Sequence, residues 1–124
     1  MKLAGLGLVA ALAIPAAAGA GARGGTDGGA GSAAVANRFV AAANRGDYAT
    51  VCRLYSSHYL KTSQAACRSL YRWGASVYGP FDYRIVRRRR LGRHRRIDLT
   101  RWHHPSFIEL AHERPGWRIV AGGW

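Results

Sequence analysis

The chain has 124 residues, enough for one domain and no more. Its 19 Lys and Arg stand against 6 Asp and Glu, a formal charge of +13 that attracts polyanions and works against contact with other basic surfaces. Ala, Gly and Arg are abundant together, as in proteins from GC-rich genomes, so composition alone does not prove that the charge has a partner.

Met1-Lys2 is a short basic start, and Leu3–Ala18 is an apolar run without a charge. Ala18-Gly19-Ala20 and Ala20-Gly21-Ala22 both fit the small-x-small cleavage pattern. Residues 1–22 therefore read as a secretory signal peptide, and the mature chain is secreted or held at the cell surface. The alternative is an uncleaved membrane anchor, but the run is shorter and richer in Ala and Gly than a span of about 20 apolar residues. No cysteine sits immediately after the cleavage sites, so a lipid anchor is not indicated. Arg23–Ser32, with five glycines and no apolar periodicity, is a flexible spacer. The folded domain is then residues 33–124, small enough to benefit from a covalent staple.

Helix one is expected from Ala33 to Asn44, capped by Ser32, with Val35, Phe39, Val40 and Ala43 on one side. Gly46 suits the left-handed end of such a helix. Asp47 caps a second helix, Tyr48–Tyr59, whose inner stripe is Tyr48, Val51, Cys52, Tyr55 and Tyr59. A third helix, Gln64–Trp73, capped by Thr62 or Ser63, places Cys67, Leu70, Tyr71 and Gly74 on one face. Two cysteines behind a signal peptide usually pair, the alternative being two free buried thiols. On one continuous helix Cys52 and Cys67 would lie about 22 Å apart, far beyond disulfide reach, so the chain must reverse between them, near Leu60–Ser63.

Gly79-Pro80 ends the helical half, and the period changes to two. Phe81, Tyr83 and Ile85 alternate with Asp82 and Arg84, and Ile97 and Leu99 alternate with Arg96, Asp98 and Thr100. Phe107–His112 and Trp117–Ala121 are a third and a fourth strand, with turns at His103-His104-Pro105 and Arg114-Pro115-Gly116. Four strands in succession make an antiparallel meander. The first hairpin poses a conflict. A two-residue turn at Gly92-Arg93 sets Arg87 opposite Asp98 but separates Ile85 and Leu99 onto opposite faces. A loop of three or five residues gathers Phe81, Tyr83, Ile85, Ile97 and Leu99 on one face. Burying each Ile or Leu is worth roughly 1.5–3 kcal/mol, more than turn preference, so the wider loop is expected, with a bulge near Gly92 and Arg84, Arg88, Arg90 and Arg96 outside.

Phe39-Val40 followed by Arg45-Gly46-Asp47-Tyr48, the pair Cys52 and Cys67, and a Pro115-Gly116-Trp117-Arg118-Ile119 ending together resemble the nuclear transport factor 2-like (cystatin-like) fold. The resemblance is to its small secreted actinobacterial members and covers Ala33–Trp124. It implies a curved sheet wrapped round a long helix with a conical pocket between them. Relatives include isomerases, cyclases and dehydratases as well as binding and accessory domains, and the fold often dimerises through its sheet. The run Arg87–Arg90 departs from the milder alternation such strands show. The expected architecture is α+β: three N-terminal helices packed on a curved four-stranded antiparallel meander.

The arginine-rich hairpin is the sharpest functional signal. Arg84, Arg87, Arg88, Arg89, Arg90, Arg93, Arg95, Arg96 and Arg101 fall within Phe81–Trp102, beside only Asp82 and Asp98. Clustered guanidiniums take phosphates and carboxylates bidentately, and Trp102 and His94 add stacking surface. Outside a cell the matching partners are anionic cell-wall polymers, lipid headgroups or another polyanion; export argues against nucleic acid. The plain alternative is a solvated strand whose charge protects a sheet edge. A pocket mouth is expected at Tyr55, Tyr59, Tyr71, Trp73 and Trp102, open to a small apolar ligand, though such aromatics are more often core. An isomerase-like site would need a carboxylate base, and the available acids, Asp98 and Glu109, both fit salt bridges with arginines. His103 and His104 are adjacent, point apart and make a poor chelating pair, so no metal and no cofactor is expected. No serine sits in a nucleophile-elbow setting and the cysteines belong to the bridge, so no catalytic residue is assigned. The reading is an exported, non-enzymatic binding or accessory domain, with a pocket-based enzyme or small-ligand binder second and a nucleic-acid-binding protein third.

Overall fold

A computed structural model describes residues 31–114 and 116–123 of the chain. The signal peptide expected over residues 1–22, and the spacer but for Gly31 and Ser32, lie outside the described residues. The elements are α1 (Ser32–Asn44), α2 (Tyr48–Arg53), α3 (Ser57–Leu60), α4 (Gln64–Tyr78), β1 (Arg84–Leu91), β2 (His94–Arg101), β3 (His104–Glu113) and β4 (Gly116–Gly122). The strands form one antiparallel sheet in the order β1-β2-β3-β4. Ser32 belongs to α1 itself rather than capping it.

The second helix is not continuous to Tyr59. It stops at Arg53 because the backbone is taken by the sheet: Tyr55 makes a parallel bridge to Ile119. Ile119 N–H donates to Leu54 O at 2.9 Å, and Ser56 N–H donates to Ile119 O at 2.8 Å. Buried Ser56 then caps α3 by accepting from His58 N–H, and donates its own hydroxyl proton to Glu113 Oε2 at 2.8 Å. The expected block of three helices is thus four, interrupted by an extended residue. Asp47 caps α2 through Thr50 N–H, and Ser63 caps α4 through Ala66 N–H.

Lys61, in the left-handed region, turns the chain between α3 and α4. The reversal brings Cys52 and Cys67 to a Cα separation of 6.0 Å, and they are joined as a disulfide. α4 runs past Trp73 to Tyr78, so Gly74 does not break it; Gly74 instead admits the Phe81 ring, which a Cβ there would meet at 3.3 Å. Leu70 does not share the inner face of Cys67, Tyr71 and Gly74: it is 52% exposed.

Both demands on the first hairpin are met at once. The turn is the tight Gly92-Arg93 pair, with Leu91 opposite His94 and Arg87 opposite Asp98, yet Ile85 still stands opposite Leu99. A bulge between Ile85 and Arg87 absorbs the extra residue, Val86. The wider loop expected at Gly92 is therefore absent, and the irregularity sits at the far end of the strand. Burial of Ile97 and Leu99 is satisfied without giving up the favoured turn, which explains why neither preference had to lose.

The sheet's inner face carries Ile97, Leu99, Ile108, Leu110 and Ile119, all at most 2% exposed. α1 covers it with Val35, Ala36, Phe39, Ala42 and Ala43. The Phe39 ring meets Tyr83 edge-on at 5.0 Å. Asn44 clips the end of α1 to the lead-in of β1, taking Tyr83 N–H at 2.7 Å and donating to Tyr83 O at 3.0 Å.

Candidate functional site

Sheet register sorts the hairpin arginines into two sets, because cross-strand partners share a face. Arg87 pairs with Asp98 and Arg89 with Arg96, while Arg84 pairs with Thr100; these side chains stand on the outer face. Arg88 pairs with Ile97 and Arg90 with Arg95, on the helix side. The bulge at Val86 is the cause: it shifts the parity of everything after it, so the outer arginines are Arg84, Arg87, Arg89 and Arg96 rather than Arg84, Arg88, Arg90 and Arg96. Arg88 confirms its side by donating to Asn37 Oδ1 of α1 at 3.1 Å. Arg95 lies over the Trp117 ring at 5.0 Å. Arg93 is exposed at the turn.

On the outer face one carboxylate serves three guanidiniums. Arg96 Nε lies 2.9 Å from Asp98 Oδ1, Arg89 Nε 3.2 Å and Arg87 Nε 3.4 Å from Oδ2. Arg89 Nε is close enough for an ion pair but not aligned for a hydrogen bond. The hydrogen bond from Arg96, helped by those from Arg89 and Arg87, holds the Asp98 carboxyl below its ordinary range despite some burial. Arg96 also stacks on Phe107 at 3.9 Å. Glu109 is engaged by His94, 3.4 Å away. Three positive charges against one negative leave the cluster cationic, and Arg87 keeps 64% of its side-chain surface in solvent.

A second feature lies at the other end of the hairpin. Leu70, Tyr71, Trp73, Gly74, Tyr78, Phe81, Arg101, Trp102 and Gly123 line a cleft of about 210 Å³. Of the five aromatics expected at a pocket mouth, Tyr71, Trp73 and Trp102 are here. Tyr55 and Tyr59 are not; they belong to a clasp on the end of β4. Tyr71 and Tyr83 each donate to Gly123 O at 3.0 Å, Tyr59 donates to Gly122 O at 3.2 Å, and the Tyr55 and Tyr71 hydroxyls are hydrogen-bonded to each other. Burial pushes the Tyr55 and Tyr71 phenols well above their ordinary pKa, and pushes Tyr83 up to about 12 against the opposing pull of Arg101.

Trp102 thus lines the cleft at the far end of the hairpin from Arg89 and Arg96, and its ring lies against Arg101 rather than an outer arginine. It sits in a two-residue turn with His103, both in the left-handed region at φ 51° and 68°. The turn expected at His103-His104-Pro105 lies one residue earlier, and His104 and Pro105 already pair in β3. Asp82 supports it: one carboxylate oxygen accepts from Trp102 N–H and the other lies 3.8 Å from His103 Nε2. Arg101, one of the candidate anion-binding arginines, is not on the outer face. Its register places it with Leu99, on the helix side, bordering the cleft.

Sequence order hid one further cationic surface. Arg38, Arg45, Arg53 and Arg118 come from four separate segments and line one open groove with Thr50 and Gln64. Only the tertiary fold unites them; no spacing in the chain signals it. Asp98 and Glu109, the acids considered for proton transfer, stand on the outer sheet face, and no carboxylate lines the cleft among the described residues. Among the described residues no group of three or more His, Cys, Asp or Glu is placed to hold a metal ion, and no helix is long and apolar enough to cross a membrane.

These elements make an α+β domain of helices on one four-stranded antiparallel sheet, an arrangement consistent with the nuclear transport factor 2-like fold. A solved structure from Thiobacillus denitrificans, described as a calcium/calmodulin-dependent protein kinase type II association domain, superposes with a TM-score of 0.53. It is 19% identical and the match covers 74% of this chain and 91% of that one, a likeness that shows the fold alone. No known family model matches the chain, and no curated protein does.

Proposed function

We propose that this protein is an exported, non-enzymatic binding module whose outer sheet face holds an anionic polymer of the cell exterior. The observation that carries the reading is the sharing of Asp98 by Arg87, Arg89 and Arg96. A rigid sheet that presents more guanidinium than carboxylate suits repeated phosphate or carboxylate groups, each taken by a planar fork. Export is supported by the uncharged run Leu3–Ala18 and by the Cys52–Cys67 bridge, which fits an oxidising compartment.

The test is elution from immobilised heparin along a salt gradient. A triple variant, Arg84→Gln, Arg87→Gln and Arg89→Gln, is expected to elute at clearly lower salt than wild type, because each lost phosphate- or carboxylate-type contact lowers the salt dependence by about one counterion. Arg88→Gln with Arg90→Gln, on the helix side, is expected to shift elution less. If the triple variant elutes with wild type, the outer face is not the binding surface. Vesicles of anionic phosphatidylglycerol, run in parallel, separate a polymer ligand from a lipid surface: retention on vesicles but not on heparin overturns the polymer.

A further inference from the structure

The cleft at the β2–β3 turn lies outside the outer arginine face and beyond the function just proposed. Three independent features of it converge. Trp73 and Tyr78 expose 59% and 61% of their surface at its rim, although the Tyr78 and Trp102 rings are only 4.8 Å apart and Phe81 stacks on Trp102 at 4.7 Å. Large aromatics left in water at the edge of an apolar recess are a standing free-energy cost that a planar guest would relieve. The backbone that aims Trp102 is itself strained. Two consecutive non-glycine residues in the left-handed region cost about 1–3 kcal/mol each, and such strain gathers where a site must be shaped. Asp82 and the Trp102 Nε1–H to Pro80 O bond at 2.9 Å hold that indole in place.

The third feature sets the charge of the guest. Arg101 borders the cleft, its guanidinium 5.3 Å from the Trp102 ring. Its Nε is buried without a hydrogen-bond partner; the side chain reaches the Tyr83 hydroxyl, a neutral group, and among the described residues no carboxylate forms an ion pair with it. A half-buried guanidinium lacking an anion is costly, and an entering carboxylate would offset that cost. The cleft, at about 210 Å³, is smaller than a typical drug-sized pocket, so it suits a small guest.

The geometry points to a binding site for a small aromatic monocarboxylate, its ring between Trp73, Tyr78 and Trp102 and its carboxylate toward Arg101. Neither cation nor neutral analogue satisfies both ends. Charge selectivity follows from the guanidinium and shape selectivity from the stacked rings.

The experiment compares phenylacetate, 2-phenylethanol and phenethylamine, which share a ring and a two-atom arm but differ in charge, binding to the full-length oxidised protein. Binding is read by chemical-shift changes of the tryptophan indole N–H signals. Phenylacetate is expected to bind about tenfold more tightly than the alcohol, the effect of one charged hydrogen-bonded contact, and the amine not measurably. Arg101→Gln removes the preference for phenylacetate over the alcohol, and Arg101→Lys retains part of it. Trp102→Ala weakens both ligands alike. Outer-face Arg87→Gln leaves the series unchanged, which separates this site from the sheet face. Equal binding of the three probes, no binding of phenylacetate at millimolar concentration, or undiminished selectivity in a folded Arg101→Gln protein overturns the proposal.

Discussion

Gly122 closes β4 and Gly123 follows it, with φ of 80° and 95°, and neither position has room for a side chain. A Cβ on Gly123 would stand 1.9 Å from the Tyr55 hydroxyl oxygen, and one on Gly122 would stand 2.2 Å from Phe107 O. These glycines let Tyr55 and Tyr59 reach the Gly122 carbonyl and Tyr71 and Tyr83 the Gly123 carbonyl. Gly123→Ala is expected to cost roughly 2–4 kcal/mol, from left-handed backbone strain plus overpacking. Gly46→Ala, at φ 80° with nothing within 4 Å, keeps only the backbone strain of about 1–2 kcal/mol. Urea unfolding of the two variants beside wild type checks the difference; equal losses would mean that the clasp is loose.

At the scale of elements, the four short helices gain their stability from packing, since helices of this length are marginal alone in water. The disulfide ties α2 to the inner face of α4 across a separation of 15 residues. A loop of that size is worth about 3 kcal/mol when its closure entropy is removed from the unfolded chain. Cys52→Ala with Cys67→Ala should lower the unfolding free energy by about that amount, measured by urea denaturation. A loss below about 1 kcal/mol would assign the hold on α4 to Tyr71, Gly74 and Phe81 instead. The hairpin shows an element-level economy of another kind. One inserted residue, Val86, reconciles a favoured turn with an Ile85–Leu99 pair on the helix side, and by the same step decides which arginines face outward.

For the molecule as a whole, the buried phenols make stability depend on pH on the alkaline side. Tyr83 ionises near its ordinary value of 10 when unfolded but is pushed up to about 12 by burial when folded, and Tyr55 and Tyr71 are raised further in the same direction. Between those values the folded state holds more protons than the unfolded one. The contribution is full below pH 10 and is lost as pH rises toward 12. Thermal midpoints measured from pH 9 to 12 should fall across that window, and Tyr83→Phe should flatten the fall. A midpoint independent of pH there would mean that water reaches the clasp.

Much of this was readable from residue order. Period-two alternation from Phe81, the capping residues Asp47 and Ser63, and a cysteine spacing that demands a reversal are local or near-local signals, written in neighbouring residues. What they could not show is anything set by distant backbone. Tyr55 left its helix because Ile119, far along the chain, offered a bridge. Val86 became a bulge because two preferences had to be met together. Arg101 and Trp102 parted from the other hairpin residues once register and turn were settled. Residue order by itself determined the element types, the covalent staple and the excess of arginine, because each depends on the identity and spacing of nearby side chains. Only the tertiary structure decided which face each arginine occupies and which aromatics meet in the cleft, because in a sheet one added residue turns every later side chain over.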